Sequence, residues 1–98
     1  MPVVAPPMES PSQTDLVQRA WKALSAGEWP HALAIVDEDA HLHPDGQFTE
    51  EREVINVLAL ARLHRAEEAN RAAALFIERY PSSVHRARIE QAIREEMP

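Results

Sequence analysis

Cysteine is absent, and with it go disulfides, thiolate nucleophiles and zinc sites built on cysteine. Glycine occurs only twice in 98 residues, which leaves no phosphate-cradling loop. Basic charge is short. Ten Lys and Arg against sixteen Asp and Glu give a net charge of −6, which argues against a general nucleic-acid binder. No apolar run approaches the roughly 18 residues of a membrane span, so direct membrane insertion is not expected. The opening MPVVAPPMESPSQ lacks the basic start and long apolar stretch of a signal peptide. A cysteine-free helical chain suits cytoplasm and periplasm alike. The expectation is a soluble domain, periplasmic if it belongs to a longer membrane-anchored chain and cytoplasmic otherwise.

What is present is ordinary for one small globular domain: 45% hydrophobic and 27% charged residues. Charge is uneven along the chain. Residues 1–49 hold two basic and seven acidic groups, and residues 50–98 hold eight arginines and nine acidic groups. Arginines spread among glutamates predict a solvated, salt-bridged surface. The four prolines of the first thirteen residues predict a flexible linker over 1–12, followed by a helical domain over 13–97.

Apolar spacing predicts five helices and an all-α fold. The first runs from about Ser12 to Ala26, with Ser10-Pro11-Ser12-Gln13 as its capping box and Gly27 as its stop. The second spans Pro30 to His43 with two apolar stripes, one through Ala32 and Val36, the other through Ile35 and Leu42. HPDGQ is a turn, and Thr49 is expected to cap the third helix. That helix is apolar nearly all round, which places it centrally. The fourth runs from Ala66 to Tyr80, with Ala66, Ala69, Ala73, Phe76, Ile77 and Tyr80 inward. Pro81 disfavours helical geometry at Tyr80, and Ser82 or Ser83 should cap a fifth helix ending near Glu95. His85, Ile89, Ala92, Ile93 and Met97 form its expected inward face.

Residues 16–44 align on 53–81 without a gap, a spacing of 37. Val17 meets Val54, Ala32 meets Ala69, Pro44 meets Pro81, and Gly27 falls on His64. Each unit is two helices, a tight turn and a closing proline.

That layout resembles the tetratricopeptide repeat. Ala20 and Val57 hold the small-residue position of the first helix, Ala32 and Ala69 the alanine early in the second, and Pro44 and Pro81 the closing proline. AGEWPHAL is close to the family's turn, and FIERYPSSVHRARI looks like such domains in bacterial envelope proteins, including outer-membrane assembly lipoproteins and cell-division coordinators. The chain departs from the pattern at Leu16 and Glu53, where the family has tryptophan, at Arg19 and Asn56, where it has leucine, and at His64 in place of the turn glycine. The resemblance implies two hairpin units and a C-terminal capping helix.

Chemistry-bearing residues are scattered. Asp37 and Asp39 stand four residues before His41 and His43, a spacing that offers metal ligands on one helix face. The two histidines, however, point about 200° apart, which prevents one compact site. Histidines in a last turn also favour the negative helix end. Carboxylate runs at Asp37–Glu38–Asp39, Glu50–Glu51, Glu67–Glu68 and Glu95–Glu96 read as solvated faces. No elbow motif surrounds any serine. The reading is non-catalytic, with no cofactor and no metal.

The resemblance implies a ligand groove along the first helix of each unit. Carried over by position, it is lined by Val17, Trp21, Leu24 and Ser25, then by Glu51, Val54, Leu58, Ala61 and Arg62. Val17, Trp21, Leu24, Leu58 and Arg62 are the residues expected to bind a peptide or helix of a protein partner, with Trp21 as anchor. Trp21 has a second reading, packing between the first and third helices; Trp29 is expected in the core. The implied function is a protein-interaction adaptor or scaffold. The alternative is a soluble periplasmic sensory or regulatory domain of a membrane-anchored envelope protein. A second copy of the chain, covering an exposed end, is the other expected partner.

Overall fold

The computed structural model describes residues 10–96. The leader over residues 1–9 and Met97 lie outside them. Five helices follow in order: α1 Gln13–Ser25, α2 Trp29–Leu42, α3 Thr49–Arg62, α4 Ala66–Arg79 and α5 Arg86–Glu96. No strand occurs among the described residues, and the fold is all-α.

α1 begins two residues later than a box on Ser10 requires. Ser12 is the N-cap, and its Oγ accepts from the Asp15 N–H at 3.1 Å. Thr49 caps nothing. It is the first residue of α3, and its hydroxyl donates to the Gly46 carbonyl at 2.6 Å, bracing the preceding turn. α5 starts at Arg86, because residues 81–85 are spent on turns in which the Ser83 Oγ accepts from the His85 N–H at 3.0 Å.

The 37-residue period is visible in the backbone. α1 ends as Glu28 N–H reaches Ala23 O at 2.9 Å, and α3 ends as Arg65 N–H reaches Leu60 O at 3.1 Å. Both are six-to-one Schellman closures. Each needs a left-handed residue, supplied by Gly27 at φ 78° and by His64 at φ 58°. The exits match too. His43 N–H donates to Asp39 O at 2.7 Å, and Tyr80 N–H to Phe76 O at 2.8 Å. His43 and Tyr80 share ψ 61°, the non-helical geometry imposed by the proline that follows each.

α3 is the spine: it packs against each of the other four helices. Its Val54, Ile55, Val57, Ala59 and Ala61 are wholly buried. One apolar cluster joins α1 and α2 to Ile55 and Ala59, and a second joins Val54, Val57 and Leu58 to Phe76 and Ile89. Burying a side chain such as Phe76 contributes about 1.5–3 kcal/mol. Trp21 and Leu24 touch both clusters and bind the two halves together. Two stripe residues face outward instead: Leu42 is 40% exposed, and Ala66 is exposed at the open start of α4.

The Asp37–Glu38–Asp39 run is not uniformly solvated. Asp39 is only 1% exposed. Its Oδ2 accepts from Arg52 Nη1 at 3.2 Å and from Gln13 Nε2 at 3.0 Å. Arg52 also donates to His43 O at 2.9 Å, and Gln13 Oε1 accepts from Phe48 N–H at 2.7 Å. Arg52 is thus buried, unlike the surface arginines expected of this half of the chain. His43 does not pair with Asp39; its Nε2 meets the Pro11 carbonyl at 2.7 Å.

Candidate partner-binding groove

Because α3 packs on every other helix while α1 and α5 do not pack on each other, a groove opens between α1 and α5 with α3 as its floor. It encloses about 430 Å³. Leu24, Ser25, Gly27 and Trp29 form one wall, Leu58 and Arg62 the floor, and Arg88, Gln91, Ala92 and Glu95 the other wall. Two guanidinium groups and one carboxylate therefore stand around an apolar bed of Leu24, Trp29, Leu58 and Ala92.

The residues singled out from the sequence divide by depth. Val17 and Leu58 are buried at 7% and 6% exposure, Val54 and Ala61 at zero. Trp21 and Leu24 are half-buried, and Arg62 is exposed. Leu24, Leu58 and Arg62 line the groove; Val17 lies in the α1–α2 core, and Trp21 stands beside the groove. The indole ring props the groove wall, with the Arg88 guanidinium carbon 5.2 Å from its centroid. Trp21 thus joins the two clusters and fixes Arg88 at once. Trp29, expected in the core, is half-buried and lines the groove.

Arg88, Gln91, Ala92 and Glu95 were not anticipated, although the signal was available. Glu51, Val54 and Leu58 were carried over as groove positions of the second unit, and 37 residues further on stand Arg88, Gln91 and Glu95. α5 repeats the placement of α3: Arg52 N–H donates to Phe48 O and Ile89 N–H to His85 O, each at 3.0 Å. Ile89, fully buried, pins α5 and thereby holds its neighbour Arg88 toward the groove.

The histidines do not converge. His41 Nδ1 lies 2.9 Å from the Asp37 carbonyl within its own helix, while His43 faces Pro11. No cluster of three or more His, Cys, Asp or Glu suited to a metal occurs among the described residues. Tyr80 has a shifted acidity: partial burial and, next, the negative charge of Glu53 push its phenol above the usual tyrosine range. Tyr80 lies on the α4 side against Phe76, away from the groove, with ring centroids 5.1 Å apart.

No protein-family model, no curated protein and no solved structure matches this chain. Among the described residues, no helix is long and apolar enough to cross a membrane.

Proposed function

We propose that this is a tetratricopeptide-like, non-catalytic interaction module that binds a peptide or helix of a partner protein between α1 and α5. The observation that supports this reading is the groove itself: an apolar bed with Arg62 at its floor and Arg88 on its α5 wall, over the helix with the most buried residues among those described. Such a site takes an apolar side chain into the bed and leaves the partner's polar groups to Arg62, Arg88, Gln91 and Glu95.

The test is selection of binding peptides from a random library displayed on phage, followed by affinity measurement on variants. Ala92→Arg fills the bed at a half-buried position, and Arg88→Glu inverts the wall at an exposed one. Each should weaken a selected peptide at least tenfold while helical circular dichroism stays unchanged. Peptides that bind both variants as well as wild type would place recognition elsewhere. A Trp21→Ala variant is less informative alone, because that side chain also joins the two apolar clusters.

A further inference from the structure

A second depression lies on the opposite side of the molecule, and the period explains what it lacks. α2 and α4 do not pack on each other, and the furrow between them over α3 is lined by Val36, Ala40, Arg52, Glu53 and Asn56, with the start of α4 supplying the far wall through its N-cap Arg65 and Glu68. Thirty-seven residues on, Ala73, Ile77, Ile89, Glu90 and Ile93 line a furrow between α4 and α5 of about 320 Å³. It is the same site built a second time. No helix among the described residues stands over α5 where α4 stands over α3.

Three of the five matched positions become isoleucine, while Glu53 recurs as Glu90 and Val36 shortens to Ala73. Ala40 is replaced by Ile77, Arg52 by Ile89 and Asn56 by Ile93. The furrow with a helical wall is the more polar of the two, and in the one without a wall Ile77 and Ile93 stay partly exposed over a fully buried Ile89. A surface left to water would be expected to change in the reverse direction. Glu90 and Arg94 stand four apart on α5 along this furrow. Arg94 makes no ion pair among the described residues, while Glu90 accepts from Arg86 Nε at 2.8 Å.

We propose that the α4–α5 furrow is covered by α5 of a second copy of this chain, packed antiparallel across a two-fold axis. The charge pattern selects this occupant. A two-fold axis across α5 sets Glu90 of each copy against Arg94 of the other, so one residue pair complements itself twice. Ile77 and Ile93 are half-buried within one chain and become fully covered between two. A patch of this size makes a weak, reversible dimer. The surface is distinct from the groove between α1 and α5.

Sedimentation equilibrium from micromolar to millimolar concentration, with helicity followed in parallel, tests the proposal. Wild type should shift from monomer to dimer across that range. Ile93→Asn and Ile77→Ala install the residues of the walled furrow, and should keep the helicity and abolish the shift. Glu90→Arg or Arg94→Glu alone should weaken association about tenfold, and the double reversal should restore it. A dimer indifferent to Ile93→Asn overturns the surface. Failure of the double reversal to rescue overturns the antiparallel two-fold. A wild-type chain that stays monomeric, with Ile77 and Ile93 methyl resonances moving only when a foreign amphipathic helical peptide is added, assigns the furrow to another occupant and overturns the second copy.

Discussion

Asp39 and Arg52 form a buried ion pair between α2 and α3, and the positions 37 residues on hold Phe76 and Ile89, buried together between α4 and α5. The same structural station is thus ionic in the first inter-unit interface and apolar in the second. Phe76 and Ile89 need no partners beyond close packing. Asp39 Oδ2 and Arg52 are paired only when Gln13, the His43 carbonyl and each other are in place, and the buried Asp39 Oδ1 has no hydrogen-bond partner among the described residues. Buried ion pairs give up much of their attraction to desolvation, but losing one partner leaves a stranded charge.

Removing either charge alone should therefore be severe. Arg52→Ala or Asp39→Ala should cost about 3–5 kcal/mol in urea denaturation, a large share of the roughly 5–15 kcal/mol typical of a small domain. The double variant Asp39→Phe with Arg52→Ile copies the second interface and should be clearly more stable than either alanine variant. A double variant as unstable as the singles would show that the two stations differ in shape as well as in polarity.

The two glycines should respond to alanine for different reasons. At Gly27 a new methyl meets nothing within 4 Å, but φ is 78°. Gly27→Ala should lose about 1–2 kcal/mol through backbone strain alone. At Gly46 the methyl would collide with the side-chain amide of Gln13. Gly46→Ala should displace Gln13 and break its bonds to Asp39 and Phe48. Amide exchange separates the two: Gly46→Ala should unprotect the Phe48 N–H, and Gly27→Ala should leave it protected.

The start of α1 rests on one hydroxyl. Ser12→Ala should cost about 1 kcal/mol, read as a lower urea midpoint at an unchanged slope. Ser10→Ala should be neutral, since Ser12 makes the capping bond.

Alkaline stability should depend on Tyr80. Its phenol ionises at higher pH in the folded chain than in the unfolded one, owing first to burial and then to Glu53. The unfolded state therefore loses this proton first. The contribution of Tyr80 is fully present below the ordinary tyrosine pKa of about 10 and is lost as pH rises from there through the folded value. Tyr80→Phe should flatten the melting temperature against pH in that window and leave the profile at neutral pH unchanged.

Much of this was legible in the chain. Apolar spacing and the two X-Pro exits set five helices and their order, because a helix must bury one face and proline stops the preceding turn. The period put His64 at the turn position of Gly27, and the structure makes both left-handed. The polar trio was harder to see. Gln13, Asp39 and Arg52 each lie on the buried stripe of their own helix: Gln13 precedes Leu16 and Val17, Asp39 follows Ile35 and Val36, and Arg52 precedes Ile55. Read locally, each breaks its stripe, and nothing local shows that three breaks fall on one spot.

Sequence alone thus determined the elements, their period and their apolar faces, since these follow from backbone geometry and spacing within single helices. Only the tertiary structure decided which charges share a buried station, that Trp21 stands under Arg88, and that α1 and α5 leave a groove over α3. Those outcomes depend on distances between side chains 13 to 67 positions apart in the chain, which are fixed when the helices pack and by nothing earlier.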